Sequence, residues 1–257
     1  MAEKPSFRRL TLLTGGEAAA ALEKSRVIVV GLGGVGSWCA EALVRSGVGK
    51  ITLVDSDTVA PSNINRQVEA LSSTVGRLKT EALGERLKDI NPSCEITGFP
   101  LVFSRESAES IGLSGADYVI DAIDTLSYKL DLIECALAAG IHFYSSMGMA
   151  RKLDPTLIRI ADIWDTSGCP LARLVRQGMR KRNISGHFNA VYSPEQFPGK
   201  ESDFSCPDSP DEAQGQDSGK KEINGSAVTV TATAGMVLAS LVIRDVCSRY
   251  APWGSGE

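Results

Sequence analysis

A glycine-rich turn between a predicted strand and a predicted helix constrains the fold of this chain most. The segment "SRVIVVGLGGVGSWCAEALVRSGVGKITLVDSD" has an apolar β-branched run at 26–30, a helical pattern at about 35–46 and a second apolar run at 50–54. Strand, helix and strand in this order form a βαβ unit, and the alternation continues down the chain. The sequence therefore predicts a Rossmann-like α/β fold, doubly wound around a mostly parallel sheet.

The remaining signals place further elements along the chain. After Met147 the regular alternation stops, so we expect a single domain of residues 1–257 with a C-terminal elaboration. The predicted elements are a helix at about 75–90, strands near 94–99 and in "ADYVIDAID" (116–124), a helix in "SYKLDLIECALAAG", strands in "IHFYSS" and "TLIRIADI", a basic helix from about Pro170, and a flexible polar loop at 199–221.

The turn itself has the pattern of a phosphate-binding loop. "GLGGVG" matches G-x-G-x-x-G between a strand and a helix, where backbone amides and the helix N-terminus bind phosphate. Gly31 would permit the tight turn, Gly33 the close approach of a phosphate, and Gly36 the packing of the helix. Gly34 belongs to the same turn. Asp55 stands where a carboxylate binds ribose hydroxyls, so we expect a nucleotide site.

Two cations and a second acid favour ATP over a dinucleotide. Arg66 lies in "SNINRQ" and Lys79 in "GRLKTE", while Asp124 ends "YVIDAID" at the mouth of the same crevice. Two cations suit a triphosphate that releases pyrophosphate, and Asp124 is placed to hold Mg²⁺. From these residues alone a dehydrogenase or a non-catalytic nucleotide-binding scaffold stays open, with the cations as helix-end charges and Asp124 as a helix cap.

Five segments together resemble one known superfamily: "GLGGVGSW", "VDSDTV", "SNINRQ", "GRLKTE" and "VIDAID". Over about residues 7–150 the chain is similar to the ubiquitin-activating-enzyme-like adenylyltransferases, the superfamily of ThiF. The glycine-rich segment and "CPLARLVRQGMRKR" are similar to one branch, the tRNA threonylcarbamoyladenosine dehydratases. The resemblance implies an ATP-dependent enzyme that adenylates the carboxylate of threonylcarbamoyladenosine in tRNA and cyclises it, giving AMP and pyrophosphate.

The resemblance also implies roles for individual residues. Asp55 would contact the ribose of ATP. Asn63, Arg66 and Lys79 would contact its phosphates, and Asp124 would bind Mg²⁺. Arg66, Lys79 and Asp124 would therefore be catalytic.

An arginine near the N-terminus is a further implied site residue. In the superfamily an Arg from the partner subunit completes the site, and Arg9 in "SFRRL" best matches that pattern, although Arg8 adjoins it. Such a site requires a homodimer. The alternative is a solvated basic pair.

The six cysteines bear on the choice among related activities. None lies in a C-x-x-C pair, whereas zinc-binding relatives carry two, so the sequence speaks against a sulfur-carrier activator. Activation of a ubiquitin-like or sulfur-carrier partner protein stays the alternative, because it would use the same ATP residues. Cys206, or Cys169, would then be the candidate for acyl transfer, although a thiol without a neighbouring His or cation is more often inert.

A basic stripe is predicted on the helix that starts near Pro170. Arg173, Arg176 and Arg180 are spaced so that they lie on one side of it, and "LARLVRQGMRKR" contains no acid. Such a stripe suits contacts with tRNA phosphates. The alternative is ordinary solvated surface.

Composition sets the broad limits. A net charge of -4 argues against a general nucleic-acid binder, and the N-terminus lacks the apolar core of a signal peptide. We therefore expect a cytoplasmic protein with reduced thiols. The uncharged segment 226–243 is long enough to span a membrane, but it is rich in Thr and Ala. It is predicted as a buried helix without integral membrane association.

Overall fold

The computed structural model describes residues 5–196 and 225–250. Within these ranges seven strands form one sheet. In chain order they are β1 Arg26–Val30, β2 Lys50–Val54, β3 Glu95–Phe99, β4 Tyr118–Asp121, β5 His142–Ser146, β6 Arg159–Asp162 and β7 Asn189–Tyr192.

The sheet order is β3-β2-β1-β4-β5-β7-β6, and neighbours are parallel except for the edge pair β6 and β7. The chain therefore winds outward from β1 in both directions. In such a sheet the loops after the strands diverge where the order reverses, and a crevice opens at the carboxyl ends. The predicted mostly parallel α/β fold is confirmed.

Helices cover both faces of the sheet. The α-helices are α1 Arg8–Thr14, α2 Gly16–Lys24, α3 Gly36–Arg45, α4 Lys79–Ile90, α5 Leu126–Ala138, α6 Pro170–Lys181 and α7 Val228–Ser248. Short 3-10 helices lie at Pro5–Phe7, Pro61–Asn63, Leu113–Gly115, Pro155–Leu157 and Ile163–Asp165.

Strand β1 shows how one run of side chains supplies two apolar cores. Val27 and Val29 belong to the core formed with α2, α3, α4 and α7. Ile28 and Val30 belong to the core formed with α5 and α6. A strand that is buried on both faces reads as a continuous apolar run, which is why this segment shows no alternation of polar and apolar residues.

The helix predicted at 75–90 begins later, at Lys79. Gly76 has a left-handed φ of 86°, and Leu78 forms an isolated antiparallel bridge with Thr58. These contacts hold the preceding residues in turns, so Lys79 becomes the first residue of α4 and lies beside the end of β2.

The strand predicted in "TLIRIADI" is confined to β6. The Asp154 side chain accepts the Thr156 amide and starts a 3-10 turn before it, and the Asp162 side chain accepts the Trp164 amide at its end. Neither β7 nor the first two helices, α1 and α2, is predicted from the sequence. The loop predicted at 199–221 lies outside the described residues.

Helix α7 is, in the described part of the chain, the one helix long and apolar enough to cross a membrane, and half of its apolar window is buried inside the protein. It packs on α3 at Gly235. A Cβ there would lie 2.5 Å from the Val35 carbonyl oxygen and 2.9 Å from the Cys39 amide nitrogen. This close approach presses α7 against the first turns of α3.

We expect Gly235→Ala to lower the free energy of unfolding by about 1–3 kcal/mol, because overpacking forces helix α7 away from α3. Gly84→Ala is the matched control, since a Cβ in that helix would meet only the Ile96 methyl group at 3.7 Å. We expect no loss of stability there. Urea unfolding measures both variants, and equal effects would contradict the close α3–α7 contact.

Candidate nucleotide site

The carboxyl ends of the central strands open into a crevice of about 510 Å³. Eight residues that the sequence singled out line it: Gly31, Gly33, Gly34, Asp55, Asn63, Arg66, Lys79 and Asp124. Thr231 of α7 also lines it, which no sequence signal indicated. Gly36 and Arg9 are not among the lining residues.

The glycine turn packs tightly against the loop after β4 but leaves the backbone at Gly33 open. Gly31 has a φ of 89°, and a Cβ there would lie 2.7 Å from the Ala122 carbonyl oxygen, so the turn touches the loop after β4. A Cβ on Gly36 would lie 1.8 Å from the Gly31 carbonyl oxygen, so only glycine fits at the start of α3. At Gly33 nothing lies within 4 Å of that position. Open amides at a helix N-terminus suit a phosphate.

Asp55 ties the end of β2 to the glycine turn. Its Oδ2 accepts the Leu32 amide at 2.6 Å and its Oδ1 accepts the Asp57 amide at 2.8 Å. Burial raises the pKa of the Asp55 carboxyl above its usual range, while the Lys79 charge and the two amides act in the opposite direction. Each oxygen keeps acceptor capacity, so the group can hold the turn and still accept ribose hydroxyls.

Lys79, the first residue of α4, has a nearly buried side chain that is 6% exposed. Its Nζ lies 2.9 Å from Asp57 Oδ2, and its amide donates to the Asp57 carbonyl at 3.0 Å. An ammonium group has three hydrogens, and Asp57 takes one of them. Asp57 was not predicted as a site residue, although the two acids of "DSD" after β2 were a usable signal.

Arg66 and Asn63 enter the crevice from the segment between β2 and α4. Arg66 Nη1 donates to the Ser62 carbonyl at 2.7 Å, and the Trp38 indole donates to the Arg66 carbonyl at 3.0 Å. These bonds fix the arginine backbone and one guanidinium nitrogen. Asn63 Oδ1 accepts a backbone amide at 3.1 Å, which directs its Nδ2 donors elsewhere.

Asp124 supplies an exposed carboxylate at the mouth of the crevice. Its Oδ1 accepts the Thr125 hydroxyl at 3.2 Å, and Thr125, rather than Asp124, is the N-cap residue of α5. No cluster of three or more metal-ligating side chains occurs among residues 5–196 and 225–250. A single carboxylate nevertheless fits Mg²⁺, which is commonly held by one or two carboxylates together with phosphate oxygens and water.

A buried ion pair that was not predicted lies behind Asp124. Lys129 Nζ lies 2.7 Å from Asp121 Oδ2, and both side chains are 0% exposed. The Ser145 hydroxyl donates to the same oxygen at 2.6 Å. The available signal was a lysine in the middle of the otherwise apolar helix "SYKLDLIECALAAG", together with the first acid of "VIDAID".

A second buried polar group lies beside α3. Glu69 is 1% exposed, and neither of its carboxylate oxygens has a hydrogen-bond partner; Gln67 Oε1 has none either. The Ser37 hydroxyl nearby has one hydrogen and donates it to the Gly33 carbonyl at 2.8 Å. Burial raises the pKa of Glu69 to about 7, although the Lys79 charge opposes the shift.

The arginines predicted as a basic stripe have different surroundings. Arg173 and Arg180 are exposed, and the Arg180 guanidinium lies 5.2 Å from the centre of the Trp164 ring. Arg176 is half-buried and donates to the Thr166 hydroxyl inside the protein. Arg182 at the end of the helix pairs with Asp131 of α5 at 2.6 Å. The exposed charge of α6 is therefore smaller than its sequence indicates.

Arg9 lies away from the crevice of its own chain. Phe7, just before α1, packs 3.7 Å from the Cβ position of Gly47, in the turn that leads into β2. That turn is at the amino edge of the sheet, opposite the crevice. Arg8 and Arg9 are exposed, and Leu12 of the same helix is 76% exposed.

Of the two candidate thiols for acyl transfer, the structure describes only Cys169. Cys169 is 4% exposed at the N-cap of α6, where a substrate has no access to it. Cys206 lies outside the described residues.

Comparison with known proteins gives a consistent picture. The ThiF family model matches residues 7–252. The tRNA threonylcarbamoyladenosine dehydratase of Bacillus subtilis is 46% identical over 189 residues, 74% of each chain. The crystal structure of Escherichia coli tRNA N6-threonylcarbamoyladenosine dehydratase in complex with ATP has a TM-score of 0.81 and 32% identity, covering 97% of this chain and 96% of its own. The adenylyltransferase and sulfurtransferase UBA4 of Candida glabrata is 35% identical over 148 residues, 58% of this chain and 34% of that protein.

We expect the pH dependence of stability to reveal Glu69. Its pKa is about 7 in the folded chain against a usual value of 4.5, so the unfolded chain loses the proton first as pH rises. As pH rises from 4.5 to about 7, the free energy of unfolding of the wild-type protein should therefore fall by about 3 kcal/mol relative to that of Glu69→Gln. Chemical denaturation at a series of pH values measures the difference.

The exposed Glu109→Gln variant is the control, and its stability curve should run parallel to the wild-type curve. If the Glu69→Gln curve ran parallel as well, the carboxyl group would not be buried without a partner.

Proposed function

The chain belongs to the ThiF family, and from that premise we propose that it is an ATP-dependent tRNA threonylcarbamoyladenosine dehydratase. The carboxylate of the threonylcarbamoyl side chain attacks the α-phosphorus of ATP, and pyrophosphate leaves. A nucleophile of the same side chain then attacks the activated carbonyl carbon, closes a ring and releases AMP. One carboxylate oxygen departs with AMP, so the modified base loses one water overall, in a ligase-type use of ATP.

One observation carries this proposal. An open glycine turn, two cations and an exposed carboxylate line a single crevice, in a chain that is similar over nearly its whole length to an ATP-bound dehydratase. A dinucleotide site does not require a buried lysine whose ammonium group keeps unused hydrogen-bond donors. Cleavage of a triphosphate requires such a cation, because negative charge accumulates on the departing pyrophosphate.

The glycine turn and Asp55 would hold the nucleotide. Phosphate would lie over Gly33, where the backbone is open, and the ribose hydroxyls would donate to Asp55. Because Asp55 already accepts the Leu32 amide, ribose and phosphate would be held on two parts of one hydrogen-bonded unit. Such preorganisation reduces the entropy lost when the α-phosphorus is aligned for attack.

Lys79 and Arg66 would neutralise the phosphates, and Asn63 would donate a hydrogen bond to them. Asp57 is the carboxylate partner of the Lys79 ammonium, and the Asp57 side chain is 66% exposed. A phosphate can therefore replace Asp57 as the partner of Lys79, because the released carboxylate is solvated by water. The preorganised cation would then stabilise the transition state more strongly than it stabilises bound ATP.

Asp124 would hold Mg²⁺ at the open end of the crevice. Bound there, the ion would supply positive charge to the phosphate oxygens. The carboxylate is exposed at the crevice mouth. It can therefore approach the phosphates without the desolvation cost that a buried carboxylate such as Asp55 carries.

A homodimer would complete the site with Arg9. The residue lies at the opposite edge of the sheet from its own crevice, so only a second subunit can bring it to the phosphates. Its helix exposes Leu12, an apolar side chain suited to an interface.

The tRNA would approach α6, where the exposed Arg173 and Arg180 would contact phosphates of the backbone. Arg176 is engaged inside the protein and would orient the helix. Because tRNA and ATP meet in the cytoplasm, we place the reaction there.

The alternative function is adenylation of the C-terminus of a ubiquitin-like or sulfur-carrier protein. Similarity to the UBA4 protein favours it, although this chain spans about a third of that protein. Pyrophosphate exchange that depends on such a partner protein would reveal the alternative. The dehydratase should show none.

We expect incubation with ATP, Mg²⁺ and tRNA bearing threonylcarbamoyladenosine to remove one water from the modified nucleoside. Mass analysis of the digested tRNA measures the loss, and omission of ATP is the control. An unchanged nucleoside mass would contradict the proposed function.

Lys79→Ala and Asp124→Ala should each lower kcat for ATP cleavage by about 100-fold or more, the usual loss when a charge-stabilising group is removed. Arg77→Ala is the matched control, because that residue pairs with Glu85 at the surface two positions before Lys79. Steady-state release of AMP measures the rates. Full activity in both site variants would defeat the mechanism.

If Arg9 acts in the partner's site, the inactive variants Arg9→Ala and Lys79→Ala should complement each other. A mixed dimer has one site with both residues intact, so random exchange of subunits restores about a quarter of wild-type activity. Arg8→Ala serves as the control and should keep full activity. No recovery after verified subunit exchange would contradict a trans-acting Arg9.

A further inference from the structure

We propose that Asp121, Lys129 and Ser145, here called the buried clamp, are positioning residues that orient Asp124 toward the nucleotide phosphates. The inference rests on the proposed function, in which Asp124 holds magnesium. Neither the glycine motif nor the crevice lining includes the clamp, since its three side chains lie behind the wall rather than on it.

The clamp bonds to both polar backbone groups of Ile123, the residue between Ala122 and Asp124 in the turn after β4. Lys129 Nζ donates to the Ile123 carbonyl at 2.8 Å while it pairs with Asp121. Asp121 Oδ1 accepts the Ile123 amide at 3.0 Å. The peptide groups on either side of Ile123 are thus held by opposite ends of one ion pair, and the next residue in the chain is Asp124.

Two neighbours limit how the turn can move. Ser145, in β5, donates to Asp121 Oδ2 at 2.6 Å and links the clamp to the adjacent strand. On the other side the Ala122 carbonyl lies against Gly31, where an added Cβ would be only 2.7 Å away. The turn is therefore confined between β5 and the glycine turn, and Asp124 is held at a set distance from the phosphate-binding amides.

Stability alone does not account for a pair of this kind. Desolvation of two charges offsets much of their attraction, and an apolar pair of similar volume often stabilises a core equally well. An apolar pair cannot bond to the amide and carbonyl of Ile123. Those directional bonds orient Asp124, the next residue, because hydrogen-bonding groups behind a metal-binding carboxylate set its geometry.

The test separates positioning from stability with the double variant Asp121→Asn, Lys129→Met. It removes both charges together, so no unpaired ion stays buried, and we expect it to remain folded. Calorimetric titration with ATP, with and without magnesium chloride, measures how much magnesium strengthens ATP binding. We expect this gain to fall about tenfold or more, while ATP affinity without magnesium stays within about twofold.

A mutant cycle with Asp124→Ala asks whether the clamp acts through that residue. If it does, Asp124→Ala lowers the magnesium gain in the wild-type background and adds nothing in the double variant, since coupled sites are not additive. Leu132→Ala is the matched control: it lies fully buried in the same helix, outside the clamp. It should lose stability and keep the full magnesium gain.

Ser145→Ala gives a milder variant should the double variant fail to fold, and we expect a several-fold smaller magnesium gain from it. The inference would be overturned if magnesium strengthened ATP binding by the wild-type factor in the folded clamp variants. It would also be overturned if Asp124→Ala lowered the magnesium gain of the double variant as much as it lowers that of the wild-type protein. A wild-type protein that binds ATP with no magnesium gain would instead contradict the role of Asp124 in the proposed function, and the inference with it.

Discussion

The hydrogen bond from the Leu32 amide to the Asp55 carboxylate is the contact on which the crevice depends. It joins the turn after β1 to the end of β2 at 2.6 Å, two segments that a parallel sheet brings to the same edge. The left-handed turn at Gly31 then lies against the Ala122 carbonyl after β4. Three strand ends thereby form one wall, and each crevice-lining group is placed relative to it.

Two lysines near this wall, Lys79 on it and Lys129 behind it, show that buried lysines can have different roles. Lys79 and Lys129 are both nearly or wholly removed from water, and each has one carboxylate partner. The partner of Lys79, Asp57, is largely exposed, so this pair can open to admit a phosphate. The partner of Lys129, Asp121, is wholly buried, so opening that pair would leave a charge unsolvated, and the pair is permanent. We assign ligand binding to the first pair and positioning to the second.

The sequence predicted the crevice-lining residues that lie next to a strand end. Asp55 and Asp124 follow apolar runs directly, and parallel strands bring their carboxyl ends together. Contacts between distant segments were missed: Thr231 reaches the crevice only because Gly235 lets α7 pack on α3. Helical spacing placed Arg176 on a basic stripe, but spacing does not reveal that Thr166 lies within reach of its guanidinium.

A structure of the protein with ATP and Mg²⁺ tests the central claim most directly. We expect the phosphates over Gly33, the Lys79 ammonium moved from Asp57 into hydrogen-bond contact with a phosphate oxygen, and the ribose hydroxyls on Asp55. A nucleotide bound with Lys79 still paired to Asp57 and Arg66 turned to solvent would contradict it.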